Sequence, residues 1–169
     1  RTLAAAPRTM IAAGFGDMIA KFTAVADFRL ANLIRGEMFD PVIADRMLAT
    51  AQACADNVEA IGAATEEGVS VLLQSLYDSG WCMVDFGNSR PASGTEHHYS
   101  HYWEMMLLQQ GRPPVLHGAK TGVGTIMGAR LYKKVREMSR AEAADLLEAA
   151  SVPNAAAEEE TIRAQFGAL

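Results

Sequence analysis

The sequence predicts an all-α fold, a helical bundle of about seven helices. Stretches rich in Ala, Leu and Met are separated by short breaks of Gly, Pro or Asn, and few β-branched residues alternate with polar ones. Half of the 169 residues are hydrophobic, which is enough for a packed core and excludes an intrinsically disordered chain. Residues 1–169 are therefore expected to form a single domain.

The first half of the chain predicts three helices. One long helical pattern covers residues 9–35 and is expected to be broken by Gly14 and Gly16, so that Asp17 lies where the first turn of a helix begins. Asp40–Pro41 predicts the start of a helix to about residue 64, because Asp is a good N-cap and Pro suits the first helical position. Thr65 opens the next helix, which is expected to end at Ser79–Gly80.

The second half predicts four helices. Ser93 lies three residues before Glu96, the spacing of a capping box, ahead of a helix that runs to about residue 110. Further helices are expected over residues 118–137, 139–150 and 155–166. The glycines within the first of these are expected to permit close helix packing and not to form a phosphate loop: Gly118, Gly122 and Gly128.

Charge and cysteine content exclude several classes of protein. A formal net charge of −5 argues against nucleic acid as a partner, because phosphate binding requires a local excess of cations. Two cysteines are too few for a disulfide scaffold and suit a reducing, cytoplasmic compartment. The longest apolar runs fall short of the roughly 20 residues of a membrane helix, so no membrane association is expected. Because the chain starts at Arg1 and not at Met, it is expected to be a processed protein, a tagged protein or an excised fragment.

All four histidines lie between residues 97 and 117. His97 and His101 are four residues apart and share a helix face, whereas His98 points elsewhere. His117 follows a Pro-Pro turn, from which it can fold back beside that face. Two imidazoles and a carboxylate make a suitable site for a divalent metal with an open position, although polar histidines at a helix interface remain an alternative.

The carboxylate of such a site must come from another part of the chain. Asp17 is the leading candidate because it follows Gly14–Phe15–Gly16 and is flanked by apolar residues. It can equally serve as an N-cap. The spacing alone does not separate it from the competing residues Asp27, Asp40 and Asp85.

Three segments carry a resemblance to a known superfamily: GFGDMIAK at residues 14–21, RPASGTEHHYSH at 90–101 and LHG at 116–118. They resemble the metal-binding half of the iron-containing alcohol dehydrogenases, a superfamily that includes glycerol dehydrogenase and dehydroquinate synthase. Within it, the segment from Ser93 to His101 is most similar to the sn-glycerol-1-phosphate dehydrogenase family. The resemblance extends over about residues 3–137, and the tail over residues 139–169 carries no motif.

The resemblance implies an architecture and a ligand set. In this superfamily an N-terminal α/β domain binds NAD(P) and a C-terminal all-α domain binds the metal, so the chain corresponds to the second domain without the first. Asp17, His97 and His117 resemble the metal ligands, and Asp17 and His101 resemble the residues that contact substrate and move the proton. Lys21 stands where some members have a further histidine ligand, which favours a three-ligand site.

The resemblance also implies the chemistry. A divalent metal, zinc or nickel ahead of iron, polarises the substrate oxygen while a hydride moves between carbon and NAD(P). The expected reaction interconverts dihydroxyacetone phosphate and sn-glycerol 1-phosphate, a small phosphorylated three-carbon substrate, in a homo-oligomer. The chain alone is expected to be inactive because it lacks a dinucleotide-binding motif. Cations near the motifs are candidates for the phosphate: Lys21, Arg90 and Lys120.

Alternatives remain open at this point. A glycerol dehydrogenase or a dehydroquinate synthase-like enzyme would use the same scaffold, and a non-catalytic helical metal-binding module would keep the ligands without the reaction. A metal-assisted hydrolase needs a general base near a metal-bound water, for which Glu96 is a poor candidate. Glu96 is instead expected to be either a hydrogen-bond partner of a ligand or a helix cap.

Overall fold

The computed structural model describes residues 5–152 and 154–167, and the residues in these two ranges form helices and no strand. The all-α prediction is confirmed for this part of the chain. Residues 3 and 4, where the motif-bearing segment is predicted to begin, lie outside it. In chain order the helices are α1 (Arg8–Ile19), α2 (Lys21–Arg35), α3 (Pro41–Asp56), α4 (Val58–Gly62), α5 (Glu66–Phe86), a 3-10 turn (Arg90–Ala92), α6 (Thr95–Gln109), α7 (His117–Glu137), α8 (Arg140–Ala149) and α9 (Ala155–Phe166).

The chain divides into two compact units, Arg1–Tyr132 and Lys133–Leu169. The first unit contains every residue predicted to bind a metal or substrate. The second contains α8, which begins with a capping box formed by Ser139 and Glu142, and α9, whose N-cap is Asn154. That residues 1–169 form one domain stays a prediction.

Two of the predicted helix starts are confirmed by their capping hydrogen bonds. The Asp40 carboxylate accepts the backbone N–H groups of Val42 and Ile43, at 2.8 and 3.1 Å, and Pro41 occupies the first position of α3. The Thr65 hydroxyl accepts the N–H of Gly68 at 3.0 Å and starts α5. Both side chains satisfy donors that the helix itself leaves free.

Other helix ends differ from the prediction. The break predicted at Gly14 and Gly16 is wrong, because both glycines lie inside α1, where they allow close packing against neighbouring helices. The patterns over residues 9–35 and 41–64 each form two helices, divided at Ala20 and at Asn57. Helix α5 does not end at Ser79–Gly80 but continues until Gly87, whose φ of 87° is the left-handed conformation that glycine adopts readily. A glycine inside a helix costs only about 1 kcal/mol, so the buried face of α5 outweighs the effect of Gly80.

The capping box predicted at Ser93 and Glu96 is wrong, because α6 begins at a cap supplied by another helix. Gly94 is the N-cap, and Asp27 on α2 accepts the N–H of Thr95 at 2.5 Å. A Cβ atom on Gly94 would lie 2.5 Å from Asp27 Oδ2 and 2.9 Å from the backbone Cα of Ala24, so a larger residue would displace α2. Packing of α2 against the start of α6 therefore determines where α6 begins.

The hydrophobic core of the first unit has two clusters. Phe28 is at the centre of one, with its ring centroid 4.7 Å from that of Phe39 and 5.0 Å from that of Phe86. This cluster joins α2, α3, α5 and the 3-10 turn through Val25, Phe28, Ile43, Ala44, Met47, Cys82 and Ala92. The second joins α1, α3, α4 and α5 through Ile11, Met18, Cys54, Ile61, Val69 and Leu72.

The segment Arg8–Arg35 is longer and more apolar than the runs expected from the sequence. It contains an 18-residue window with a mean hydropathy of 1.2, so it is long enough and apolar enough to span a membrane. Its apolar residues include Met18, Ala24 and Phe28, all of which are buried in the core. Core helices of globular proteins pass the same test, so this segment is only weak evidence for a membrane span.

Candidate metal centre

Three side chains from three helices converge on one point in the first unit. Asp17 comes from α1, His97 from the first turn of α6 and His117 from the first residue of α7. Asp17 Oδ1 lies 3.7 Å from His97 Nε2 and 3.6 Å from His117 Nε2. One ligand atom of each residue lies within 4.8 Å of the others, a spacing that suits a shared metal ion.

Asp17 presents a single oxygen to the two imidazoles. It lies inside α1 near the C-terminal end, so it is not the N-cap that the sequence left open. Its other oxygen, Oδ2, accepts a hydrogen bond from Lys21 Nζ at 3.2 Å, and Lys21 also donates to the carbonyl of Ala92 at 3.2 Å. Because Lys21 is buried and occupied in this way, it orients Asp17 and is a poor partner for a substrate phosphate.

The structure separates Asp17 from the three acids that competed with it. Asp27 accepts hydrogen bonds from Thr95 N–H and from the hydroxyl of Tyr132. Asp40 caps α3, and Asp85 forms an ion pair with Arg46 at 2.6 Å. Each competitor has a structural partner, and Asp17 is the one that faces the histidines.

Glycines bring Asp17 and His117 together. A Cβ on Gly118 would overlap the carbonyl of Ala13, and one on Gly16 would overlap the carbonyl of Gly118. A Cβ on Gly122 would lie 3.2 Å from the Cα of Gly16. The backbones of α1 and α7 are therefore in contact at these glycines. This contact places Asp17, which follows Gly16, beside His117, which precedes Gly118.

Glu96 lies behind His97 and is fully buried. Its Oε1 lies 2.9 Å from His97 Nδ1 and accepts the N–H of Gly94 at 2.8 Å, while its Oε2 accepts the hydroxyl of Thr23 at 2.7 Å. Burial alone would raise the pKa of the Glu96 carboxyl, but the hydrogen bonds from His97, Thr23 and Gly94 outweigh it, and the pKa lies below its ordinary value. Both roles considered for Glu96, partner of a ligand and cap of α6, are thus present together.

His117 is half-exposed, and its ring is supported on one side by Ser100. Ser100 Oγ lies 3.4 Å from His117 Nδ1, which leaves Nε2 facing Asp17. Burial lowers the pKa of His117 below its ordinary value, and the opposing effect of Asp17 does not restore it. A lowered pKa favours the neutral imidazole, the form that binds a metal.

The remaining histidines are placed as the helix spacing predicted. The His101 ring is exposed, with its centroid 5.7 Å from that of His117 and 6.3 Å from that of His97. Glu104 Oε2 lies 3.7 Å from His101 Nδ1 and 3.3 Å from Nζ of Lys120. Through Glu104, Lys120 is linked to His101, the histidine predicted to contact substrate. Arg90 instead pairs with Glu37 at 3.1 Å. His98 is exposed and does not face Asp17, His97 and His117.

One carboxylate oxygen and two imidazole nitrogens fit a borderline metal such as zinc or nickel better than a hard cation, which prefers oxygen ligands. Three protein ligands also leave a coordination position for a substrate oxygen. The position of Glu96 explains why it is a poor base for hydrolysis: it lies behind the His97 ring, with both oxygens already hydrogen-bonded.

Comparison with known proteins finds relatives that share one enzyme name. The chain is 46% identical over 133 residues to glycerol-1-phosphate dehydrogenase (NAD(P)+) of Geobacillus thermodenitrificans, a match that covers 79% of this chain and 33% of that protein. The resemblance is confirmed. Enzymes of the same name are 43% identical over 135 residues in Bacillus subtilis (80% of this chain, 34% of the enzyme) and 40% identical over 141 residues in Pyrococcus furiosus (81% and 40%).

The chain spans about a third of the length of the glycerol-1-phosphate dehydrogenases that it matches. The matched length is close to that of the predicted motif-bearing segment, residues 3–137. No family model matches the chain.

Apart from Glu96, sequence reasoning did not identify the residues that support the ligands. Thr23, on α2, approaches Glu96 from a position 73 residues away in the chain, and no local pattern marks it. The resemblance implies that Lys21 replaces a further histidine ligand, and its charge makes it a candidate for the phosphate, whereas in the structure its ammonium group donates a hydrogen bond to Asp17. Its spacing of four residues from Asp17 on a helical pattern was the available signal.

Proposed function

We propose that the chain is the metal- and substrate-binding part of an NAD(P)-dependent glycerol-1-phosphate dehydrogenase. The observation that carries this proposal is the convergence of Asp17, His97 and His117, three residues from distant segments, each within a motif of the resemblance. The names of the aligned relatives support the activity, the phosphorylated substrate and the use of NAD(P).

In this proposal Asp17, His97 and His117 hold a divalent metal, zinc or nickel ahead of iron. When bound, the metal supplies a Lewis acid for the substrate oxygen, on which charge develops as a hydride moves between the carbon and the nicotinamide. Asp17 contributes the negative charge, and its oxygen Oδ1 faces the two imidazoles. Lys21 holds the other oxygen and so keeps Asp17 in one orientation.

His101 is the proposed proton carrier. It stands one turn beyond His97 on the same face of α6, exposed and next to His117. Glu104 lies on the Nδ1 side of its ring, so Nε2 is the atom that would accept the proton of the substrate hydroxyl on oxidation and return it on reduction. Asp17 and His101 are the residues proposed to contact substrate.

The NAD(P) site is proposed to lie in the portion of the relatives that this chain does not span. Dihydroxyacetone phosphate and sn-glycerol 1-phosphate are the proposed substrate pair, since the relatives are named for the phosphorylated compound. Glycerol dehydrogenase and dehydroquinate synthase-like activity are disfavoured by the same names. A homo-oligomer and a cytoplasmic location are further parts of the proposal.

Metal content tests the proposed centre directly. The purified chain is measured by elemental mass spectrometry after incubation with zinc or nickel, beside Asp17→Asn and His117→Ala. Asp85→Asn is the matched control, because it removes an equivalent charge at a residue paired with Arg46 outside the centre. About one metal per chain is expected in the parent and the control.

Loss of the metal in both ligand variants would support a shared site. Retention of stoichiometric metal in Asp17→Asn would contradict the assignment of Asp17. Absence of metal from the parent would contradict an independently formed centre in this chain, and circular dichroism of each variant shows whether any loss reflects unfolding.

A further inference from the structure

We infer that Glu96 is a positioning residue for the metal ligand His97: it sets the tautomer of the imidazole and strengthens its bond to the metal. This inference rests on the proposed metal centre. It concerns a residue that does not face the metal and acts only through the ring of its neighbour.

The hydrogen bonds of Glu96 allow only one tautomer of the His97 imidazole. Both oxygens of Glu96 accept hydrogen bonds, Oε1 from the N–H of Gly94 at 2.8 Å and Oε2 from Thr23, as an ionised carboxylate does. Such a carboxylate has no proton to donate, so Oε1 meets His97 Nδ1, 2.9 Å away, as an acceptor. Nδ1 must therefore carry the proton. The lone pair then resides on Nε2, the atom that faces Asp17 Oδ1 at 3.7 Å.

Helix packing fixes the position of the carboxylate. Oε2 accepts the hydroxyl of Thr23 at 2.7 Å, which ties Glu96 to α2. A Cβ on Gly124 would lie 2.7 Å from the Glu96 carbonyl oxygen and 3.0 Å from its Cα, so α7 packs directly against the backbone of the same residue. Glu96 is thus held from α2 and α7 while its carboxylate holds the ring.

A buried carboxylate behind a ligand histidine has a direct effect on metal binding. It fixes the ring orientation and makes the coordinating nitrogen more basic, and loss of such a partner typically weakens metal affinity by about 10- to 100-fold. A carboxylate without a partner would be costly to bury, but Glu96 has donors on both oxygens.

Helix capping is the competing explanation, since Glu96 also accepts the N–H of Gly94. Asp27 separates the two roles. It caps the same helix at Thr95, is also held by a hydroxyl, that of Tyr132, and has no hydrogen bond to His97 among those of the described residues. A pure capping role predicts equal effects on metal affinity from the loss of either charge.

The experiment compares Glu96→Gln, Glu96→Leu and Asp27→Asn in the full chain. Zinc affinity is measured by isothermal titration calorimetry, and the tautomer of His97 by two-dimensional proton–nitrogen NMR of the metal-free protein, assigned with His97→Gln. Glu96→Gln keeps the shape and an acceptor oxygen but removes the charge. Glu96→Leu removes the acceptor at similar size.

In the parent, His97 is expected as the Nδ1–H tautomer. Glu96→Gln is expected to keep that tautomer and to bind zinc about 10- to 100-fold more weakly, whereas Asp27→Asn keeps the parent affinity. Glu96→Leu is expected to lose the tautomer preference. Rescue of the tautomer by Gln but not by Leu is a signature that a structural role alone would not produce.

Several outcomes would overturn the inference: an Nε2–H tautomer in the parent, unchanged zinc affinity in Glu96→Gln, or equal losses in Glu96→Gln and Asp27→Asn. If the parent binds no zinc, the proposed centre fails, but the tautomer of metal-free His97 still decides whether Glu96 orients the ring. The two failures are therefore distinguishable.

Discussion

The backbone of Gly16 on α1 touches the carbonyl of Gly118 on α7, one residue away from Asp17 and His117 in the sequence. This contact sets the separation of two of the three proposed ligands. Neither glycine has a positive φ, so both are required for space and not for backbone conformation. The proposed metal centre therefore depends on the close approach that these two glycines allow between α1 and α7.

Gly118→Ala is expected to separate α1 from α7. Its methyl group would overlap the carbonyl of Ala13, so the helices must move apart at a cost of about 1–3 kcal/mol. The free energy of unfolding, from urea titration, should fall by this amount. Metal content should fall with it, because the distance from Asp17 to His117 increases.

Gly80→Ala is the control for that substitution. Gly80 lies inside α5, and a Cβ at this position would meet no atom within 4 Å, so Ala should raise stability by about 0.5–1 kcal/mol through helix propensity. Equal stability of the Gly118→Ala and Gly80→Ala proteins would show that the contact between α1 and α7 is not tight.

Phe28→Ala is expected to be among the most damaging core substitutions. Phe28 is 1% exposed and packs against Phe39 and Phe86. A cavity of this kind costs about 3–5 kcal/mol, a large part of the total stability of a domain. Leu33→Ala, at a residue on the same helix that is 71% exposed, should change the stability by less than about 0.5 kcal/mol. Similar losses in the two variants, measured by urea unfolding, would contradict this core.

Stability of the metal-free protein is expected to fall as the pH decreases through about 6.5. Burial lowers the pKa of His117 in the folded chain, so the unfolded chain binds more protons in this range. Urea unfolding at several pH values, with a chelator present, measures the dependence. His117→Asn should reduce the slope relative to the parent. If His117→Asn left the pH dependence of stability unchanged, the His117 imidazole would not be its cause.

Both cysteines are expected to resist thiol reagents in the folded protein. Cys54 and Cys82 are fully buried, and burial raises the pKa of both thiols, which reduces the reactive thiolate. Ellman's reagent at pH 8 should label neither until denaturant is added, and two thiols afterwards. Rapid labelling of either thiol without denaturant would show that the α3–α5 region opens readily.

The 169-residue chain is expected to show no turnover of dihydroxyacetone phosphate with NADH or NADPH, because the nicotinamide site is proposed to lie outside it. Turnover is measured as the loss of NADH or NADPH absorbance in the presence of zinc or nickel. Turnover by the chain alone, abolished by His101→Ala, would disprove the placement of the NAD(P) site while supporting the role of His101.

The sequence by itself determined the helical class, the helix starts at Asp40 and Thr65, and the grouping of the histidines. These features are local: N-caps act within one turn, and residues four apart share a helix face. The motifs around Asp17, His97 and His117 also carried the resemblance that the relatives confirm. The roles of these residues remain predictions.

Only the tertiary structure decided which acid faces the histidines and what holds them. Asp40 is occupied locally as the cap of α3, but Asp27 and Asp85 resemble Asp17 in sequence terms, and only packing gives these two acids partners on other helices. The N-cap of α6 is Gly94 and not the predicted Ser93, because Asp27, on a helix distant in the sequence, accepts the first free N–H of α6. Contacts between residues far apart in the chain depend on how helices pack, and helix spacing does not encode that packing.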